Sequence, residues 1–192
     1  IELAALHDRY LEKSLKTNIF RQVGLRLFHM LRKNSKLGSA KNIAHHYDIG
    51  NSFYEAWLDP TMTYSSAVFD SDSDYLTTAQ LNNYKRLADL ADIQPGDKVL
   101  EIGCGWGGFA TYVSEQIGAH VTGITISEAQ LAYAQSRLAD AGLDDRVDLK
   151  LMDYRDLQGR FDNIVSIEMF EAVGQASWPT YFATVARMLK SG

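Results

Sequence analysis

A glutamate followed closely by glycines is the part of the sequence best suited to binding chemistry. Glu101 lies in an apolar run, and Gly103, Gly105 and Gly108 follow it in the segment VLEIGCGWGG. Glycine adopts positive φ and has no Cβ, so such a turn lets a ligand lie against bare backbone where a helix begins. The segment therefore predicts a nucleotide-type binding site between a buried strand and a helix.

Three interpretations of this turn are open. The glycine spacing satisfies the dinucleotide pattern G-x-G-x-x-G, but Glu101 would repel a pyrophosphate. The acid expected about 20 residues further on is replaced by hydroxyl residues in HVTGITIS. A carboxylate beside a glycine turn suits S-adenosylmethionine, which carries a sulfonium and an amino acid but no phosphate. A purely structural turn is the third interpretation, and the residue pattern favours the second, with methyl transfer as its chemistry.

The rest of the chain predicts elements that place this turn at the edge of a parallel sheet. Strand patterns at 98–103, 119–124, 147–151 and 162–167 alternate with helical patterns at 107–117, 127–141 and 178–189. Such alternation is typical of an α/β fold, in which ligands bind outside the carboxyl ends of the strands. The prediction is a Rossmann-like class I S-adenosylmethionine methyltransferase fold, truncated before its last strands.

Loops after these strands are expected to meet in one crevice. Ser127 is a candidate N-cap, which would let the amide of Gln130 face ribose hydroxyls. Asp153 and Tyr154 are candidates for binding and covering adenine. An exposed helical glutamine and an ordinary turn acid are the alternative interpretations of Gln130 and Asp153.

Composition divides the chain into three predicted segments. Residues 1–41 form a basic helical arm with a linker, 42–94 a helical lid that includes a helix over 77–93, and 95–192 a C-terminally incomplete core. Residues 1–43 hold nine Lys or Arg against three Asp or Glu, so the arm is positive although the whole chain carries −5. A basic arm on an acidic body predicts an anionic partner, such as a phospholipid surface or nucleic acid. The alternative is that the arm packs its apolar stripe on its own protein.

Composition also argues against several classes. No run reaches the roughly 18 apolar residues of a membrane span, and the single cysteine, Cys104, excludes an internal disulfide and fits a reducing compartment. His45 and His46 would point about 100° apart on a helix and have no further ligands at metal spacing, so no metal is expected. The acidic body and the lack of an Asn-Pro-Pro-Tyr-type tetrapeptide disfavour a nucleic-acid methyltransferase.

Several further segments resemble one known family. HYDIGN at 46–51, LDP at 58–60, TYSSA at 63–67, GITIS at 123–127, DYRDL at 153–157 and MFE at 169–171 accompany the glycine segment. They occur in the order seen in cyclopropane-fatty-acyl-phospholipid synthases and the related mycolic acid synthases, over residues 42–190. The resemblance implies a carbon methyltransferase that acts on the double bond of an unsaturated acyl chain of a membrane phospholipid and forms a cyclopropane ring.

The resemblance also implies roles for particular residues. The alkene attacks the sulfonium methyl, a carbocation forms, and a bound bicarbonate removes a proton so that the ring closes. Glu171 matches the glutamate that holds this bicarbonate, and Ser66 stands where a cysteine is usual, so these two are the predicted catalytic residues. The predicted lining of the substrate pocket is His46, Tyr47, Phe53 and Trp57. The predicted cofactor-binding residues are Tyr64, Ser65, Glu101, Gly103, Cys104, Gly105, Trp106, Gly107, Thr125, Ile126, Ser127, Gln130, Asp153, Tyr154 and Arg155.

The resemblance gives S-adenosylmethionine as the cofactor, with bicarbonate as a further bound group, and phospholipid in an anionic membrane surface as the partner. The expected location is cytoplasmic, peripherally on the inner face of the membrane, without nucleic acid. Homodimerisation is an open option, because the sequence does not decide the oligomeric state. Two alternatives to ring formation are a lipid C-methyltransferase with a methyl- or methylene-branched product and a non-catalytic S-adenosylmethionine-binding domain.

Overall fold

The computed structural model describes residues 50–191, in which helices and parallel strands alternate. The predicted arm at 1–41 and the residues His46 and Tyr47 lie outside this range. The helices are α1 (Asn51–Glu55), α2 (Leu76–Leu90), α3 (Gly108–Tyr112), α4 (Glu128–Ala141) and α5 (Trp178–Met188). The strands are β1 (Lys98–Ile102), β2 (His120–Thr125), β3 (Val147–Leu151) and β4 (Asn163–Val165).

The four strands form one sheet in the order β3-β2-β1-β4, and all pairs are parallel. The chain builds β1, β2 and β3 in one direction and then returns to place β4 on the other side of β1. The carboxyl ends of β1 and β4 therefore flank the point where the strand order reverses. In open α/β sheets this is where ligands bind. The α/β fold class predicted from the alternation is confirmed.

Both faces of β1 are buried because helices cover the sheet on each side. Val99 packs with α2, α3 and α4 in one apolar cluster. Leu100 and Ile102 pack with residues of α5 and its preceding loops in a second cluster. Side chains alternate along a strand, so Glu101 is directed into the same layer as Val99, although it is charged. Glu101 thus places a carboxyl group in a sheet that helices cover on both faces.

The structure changes several predicted boundaries. The predicted strand 162–167 pairs only over Asn163–Val165, since β1 is its single neighbour among the described strands. The predicted helix 107–117 is α-helical only to Tyr112 and continues as a π-helix over Val113–Ile117. The lid, predicted as helical over 42–94, is helical in the described range only in α1 and α2, and residues 56–75 form turns and irregular structure.

Gly123 is expected to be required for close packing of the sheet. Its backbone φ is ordinary, but a Cβ built there would lie 2.5 Å from Cδ2 of Leu149 and 3.0 Å from Cβ of Cys104. Gly123→Ala should therefore lower the free energy of unfolding by about 1–3 kcal/mol through overpacking, as measured by urea denaturation. Leu149→Val removes the atom closest to the new methyl group. The double variant should consequently lose less stability than the two single losses added together, and strict additivity would contradict the steric explanation.

Candidate functional site

The glycine turn after β1 exposes bare backbone at the edge of the sheet. Gly103 and Gly105 have φ of 86° and 52°, in the region that favours glycine. The backbone N–H groups of Gly103 and Cys104 both donate to the Ile124 carbonyl at 2.9 Å, which ties the turn to β2. A Cβ on Gly105 would meet no heavy atom of the residues that the structure describes within 4 Å. Open space therefore adjoins this backbone, as a ligand lying against it requires.

The carboxyl group of Glu101 lies under this turn, and the cost of burying it is only partly offset by hydrogen bonds. Its residue is 2% exposed, and Oε2 has no hydrogen-bond partner among the described residues. Burial raises its pKa well above the ordinary value of 4.5, and a hydrogen bond from the backbone of Ala110 opposes that shift. A buried carboxylate is costly unless it is paired. Glu101 is thus suited to a positively charged ligand or to one that donates a hydrogen bond.

Two buried side chains whose pKa values Glu101 raises, Cys104 and Tyr84, are neutral. Burial raises the pKa of the Cys104 thiol, and the nearby Glu101 raises it further, so this cysteine stays protonated. Burial also raises the pKa of Tyr84 to about 12, with Glu101 as a smaller cause in the same direction and the hydrogen bond with Thr63 as an opposing one. Cys104, predicted as a cofactor contact, has a buried side chain, so only its backbone is placed to make that contact.

Residues between the end of β2 and the first turn of α4 form hydrogen bonds with one another. Ser127 caps α4 and accepts from the backbone N–H of Gln130 at 3.3 Å, which confirms the predicted N-cap. The Thr125 hydroxyl donates to Oε1 of Gln130 at 3.0 Å and accepts from the N–H of Ser127 at 3.2 Å. Gln130 is therefore a buried side chain with a fixed orientation, and the interpretation as an exposed helical glutamine is wrong. Ile126, between them, is half-buried.

An internal ion pair marks the loop after β3. Both carboxylate oxygens of Asp153 accept from the Arg155 guanidinium, at 2.7 Å from Nε and 2.6 Å from Nη2. Arg155 also lies 5.5 Å from the ring centroid of Tyr154. The backbone N–H of Arg155 also donates to Oδ1 of Asp153, at 2.9 Å, so the carboxylate already accepts three hydrogen bonds from this one residue. The pair fixes its direction and balances its charge.

Aromatic side chains of the lid meet the glycine turn at Trp106. Tyr54 lies 4.9 Å from Trp106 between ring centroids and 5.9 Å from both Trp57 and Tyr64. Phe53 joins the group through Tyr54, at 5.5 Å, and through Trp57, at 6.3 Å. Tyr54 and Trp106 are buried, but Phe53, Trp57 and Tyr64 are 49%, 48% and 55% exposed. The structure therefore brings the predicted lid and cofactor residues together into one cluster with an exposed apolar rim.

Within the irregular stretch of the lid, residues 59–68 are held by side chains of helices. We call residues 59–68 the lid segment. Gln80 of α2 donates to the carbonyl of Ser65 at 2.9 Å, and Asn83 donates to that of Ser66 at 3.1 Å. From α4, Arg137 donates to the carbonyls of Thr61 and Pro60, each at 2.6 Å. Backbone groups of an irregular segment need such partners when they leave water. The lid segment is thereby fixed to α2 and α4.

The loop after β4 contacts both the sheet and the lid segment. The hydroxyl of Ser65 donates to Oε1 of Glu168 at 2.9 Å. Glu168 has a φ of 52°, a conformation that costs a non-glycine residue about 1–3 kcal/mol. A net hydrogen bond contributes about 0.5–1.5 kcal/mol, so this contact alone does not explain a glutamate at that position.

The two predicted catalytic residues lie on separate segments. Ser66 belongs to the lid segment, and Glu171 to a 3₁₀ turn over Phe170–Ala172. Both are exposed, and no hydrogen bond between them is present in the described part of the chain. Their joint role stays a prediction. Residues 50–191 also contain no group of His, Cys, Asp and Glu arranged to hold a metal ion.

Sequence reasoning missed three residues that organise the site. Asn51 accepts from the indole N–H of Trp106 at 2.9 Å and donates to the carbonyl of Ala129 at 3.3 Å, which links α1, the glycine turn and α4. Asn51 ends the HYDIGN segment, and that position was its only signal. Arg137 contacts the lid segment across 76 residues of sequence, and no local pattern marks it. Glu168 acts across 103 residues, and its only signal was its position in the loop 168–171 after the fourth predicted strand.

Sheet order, glycine turn and strand-end loops together define the fold of class I S-adenosylmethionine-dependent methyltransferases. The family model described as mycolic acid cyclopropane synthetase matches residues 34–192. The chain belongs to this family, as its segments predicted.

Curated relatives and a solved structure agree with this assignment. Cyclopropane-fatty-acyl-phospholipid synthase of Escherichia coli K12 is 44% identical over 170 residues, which are 88% of this chain and 42% of the relative. Tuberculostearic acid methyltransferase UfaA1 of Mycobacterium tuberculosis is 42% identical over 83% of this chain and 39% of its own. The mycolic acid cyclopropane synthase CmaA1, complexed with SAH and CTAB, has a TM-score of 0.76 and 31% identity, covering 79% of this chain and 53% of that one. The chain thus spans well under two thirds of each.

The buried carboxyl of Glu101 should make the unliganded protein less stable as pH rises. Its pKa in the folded state lies above the ordinary value of 4.5, so above that pH the folded protein holds a proton that the unfolded chain has lost. The free energy of unfolding then falls with rising pH. Glu101→Gln does not ionise and should show a flatter decline between about pH 5 and pH 8 in urea denaturation.

Glu115→Gln serves as the control, because it removes an exposed carboxylate from the π-helical turn. Its stability should follow the unaltered protein at every pH. If the stability of Glu101→Gln has the same pH dependence as that of the unaltered protein, the inference that ionised Glu101 is costly to bury is wrong.

Proposed function

We propose that this chain contains the cofactor-binding core of an enzyme that transfers a methylene group from S-adenosylmethionine to the double bond of an unsaturated phospholipid acyl chain, forming a cyclopropane ring. The observation that carries the proposal is the juxtaposition at Trp106. There a glycine turn with a buried, incompletely paired carboxyl group adjoins an exposed aromatic rim. One part suits a cationic methyl donor, and the other suits an apolar chain on which a cation develops.

The residues present fit S-adenosylmethionine. The unpartnered Oε2 of Glu101 and the open space beside Gly105 are the observations that support this fit. Gln130 and Asp153 would hold the ribose and adenine ends from the loops after β2 and β3. When bound, the group supplies an electrophilic methyl on sulfonium.

The chain's own residues would shape the reaction on the lipid. The π electrons of the alkene form the new carbon–methyl bond as the sulfur–methyl bond breaks, which leaves a cation on the acyl chain. Aromatic faces stabilise a nearby cation by about 0.5–2 kcal/mol each, and Phe53, Trp57 and Tyr64 offer such faces. Loss of a proton from the new methyl group then closes the ring.

Glu171 and Ser66 would position the base that takes this proton. A carboxylate accepts hydrogen bonds and a hydroxyl donates them, so together they can orient a bicarbonate. Glu171 lies after β4, next to the reversal point of the sheet, which supports its placement near the reacting carbon.

A second product class has its own support. UfaA1, at 42% identity, is named as a tuberculostearic acid methyltransferase. If a 1,2-hydride shift first moves the cation to the methyl-bearing carbon, loss of a proton from the methyl group gives a methylene branch. Addition of hydride from a separate hydride-donating cofactor, together with a proton, would convert that branch into a saturated methyl branch. A ring and a methylene branch have the same mass, whereas a methyl branch carries two more hydrogens.

The full-length protein, expressed in cells, should add one CH₂ to monounsaturated phospholipid chains. Lipid mass spectrometry detects this gain, and mild hydrogenation, which reduces an alkene and spares a ring, separates ring from methylene branch. Glu171→Gln should lower the yield by about 10²–10⁴-fold, the range typical of proton transfer catalysis. It should leave S-adenosylmethionine binding, measured by calorimetry, within twofold of the unaltered protein.

NAD and the variant Glu115→Gln are the controls. NAD should not bind, and Glu115→Gln should retain full yield. Retention of NAD without S-adenosylmethionine would reject the cofactor assignment. Full activity of Glu171→Gln would leave the methyl donor in place but remove this residue from the mechanism.

Association with an anionic membrane surface is the proposed route to the substrate. No helix of the described range has the length and apolar character needed to cross a membrane. The residues expected to contact lipid headgroups belong to the basic arm, which lies outside the described residues. Each basic residue near an anionic surface contributes about 1 kcal/mol, and salt screens the attraction.

Changing Arg32 and Lys33 to Glu should therefore reduce sedimentation with phosphatidylglycerol vesicles by at least tenfold. Binding of the unaltered protein should also weaken as salt rises. Lys85 and Arg86 are an adjacent exposed basic pair on α2, so the same change there alters the net charge equally and should have a smaller effect. Equal losses from both pairs, or binding insensitive to salt, would reject a specific role of the arm.

A further inference from the structure

The segment after β4 is anchored to the sheet on one side. The hydroxyl of Ser166 donates to the carbonyl of Ile102, at the end of β1, at 3.0 Å. Met169 lies against the glycine turn, since a Cβ built on Gly103 would be 2.8 Å from the Met169 side chain. Glu168 lies between these two anchors, and its side chain reaches the lid segment instead. It therefore joins a fixed part of the sheet edge to the lid.

The contacted residue, Ser65, is held from two directions. Its carbonyl accepts from Gln80 of α2, and its hydroxyl donates to Glu168. Ser65 is also a predicted cofactor contact, beside Tyr64 of the aromatic cluster. The bond to Glu168 joins this predicted cofactor contact to the loop beside the glycine turn.

The backbone conformation of Glu168 supports a functional role for its hydrogen bond with Ser65. Glu168 keeps a left-handed conformation that glycine would adopt without strain. Strained non-glycine residues persist where the surrounding structure fixes them, and they concentrate at ligand sites. A glycine here would relieve the strain but would leave Ser65 without its acceptor.

We propose that Glu168 is a positioning residue, whose hydrogen bond to Ser65 latches the lid segment against the cofactor turn. This inference rests on the proposed function, because the latched residues are those expected to contact S-adenosylmethionine. Glu168 itself does not need to touch the reacting atoms. It sets the position of Tyr64 and Ser65.

The first test needs no cofactor. In Glu168→Gly, backbone amides of residues 64–68 should exchange hydrogen at least threefold faster than in the unaltered protein, because the lid segment loses one of its attachments. Global stability should not fall, since the substitution relieves backbone strain. Asp92→Gly is the matched control. Asp92 has a φ of 50°, is exposed, and accepts one side-chain hydrogen bond, from Gln94 at 2.8 Å. It should leave exchange at residues 64–68 unchanged.

The second test measures S-adenosylmethionine affinity by calorimetry. Glu168→Gly and Ser65→Ala should each weaken binding about three- to tenfold, as expected for one hydrogen bond. The double variant should be no weaker than the weaker single variant. Glu168→Gln keeps an acceptor oxygen and should restore at least half of the loss, while Asp92→Gly should bind like the unaltered protein.

The outcomes separate the latch from the proposed function. If the unaltered protein binds S-adenosylmethionine and Glu168→Gly binds equally well, or if the Glu168 and Ser65 effects add, the latch is wrong and the proposed function stands. If the unaltered protein does not bind, both are rejected. Unchanged exchange at residues 64–68 in Glu168→Gly rejects the latch whatever the affinity.

Discussion

The structure depends on a carboxyl group placed in the covered layer of a sheet. Glu101 lies in β1 among the buried apolar residues Val99, Leu100 and Ile102, and one of its oxygens has no partner in the described part of the chain. A buried charge destabilises a fold unless something compensates it. The backbone N–H of Ala110 compensates in part, because the glycine turn brings the start of α3 over the strand end. In the proposed function, the cationic cofactor supplies the rest.

The lid shows how a segment without regular structure obtains a fixed position. Residues 59–68 form no strand or helix of their own, so several of their carbonyls accept hydrogen bonds from side chains of α2 and α4. Within the lid segment, Thr61 donates to a carboxylate oxygen of Asp59 at 2.7 Å, and Thr63 hydrogen-bonds to Tyr84. Tyr84 in turn packs edge-on against Phe109 of α3, at 5.7 Å. The same helices thus contact both the glycine turn and the lid segment, and they fix the position of one relative to the other.

Local sequence patterns predicted most strands and helices, because the apolar residues that one element buries lie within a few positions of one another. The apolar run around Val99 gave β1, and the serine before α4 gave its N-cap, as both signals lie within a few residues. The glycine spacing gave the turn for the same reason. Contacts between residues that are far apart in the sequence cannot be seen in such local patterns. The bond of Asn51 to Trp106 joins residues that are 55 positions apart, and the positive φ of Glu168 has no sequence signature. Residues 56–75, predicted as part of a helical lid, are irregular.

Charge at the strand ends constrains the proposed chemistry further. Glu168 and Glu171 are exposed acidic residues in the loop after β4, whereas Asp153 is balanced by Arg155. Their negative charge favours a cationic methyl donor and opposes an anionic base, because like charges repel. A bicarbonate would therefore need hydrogen-bond donors from the lid side, where Ser66 is the predicted one. In the proposed function, ring closure would then depend on the position of the lid, and a contact that fixes the lid would influence whether the acyl cation loses its proton to form a ring.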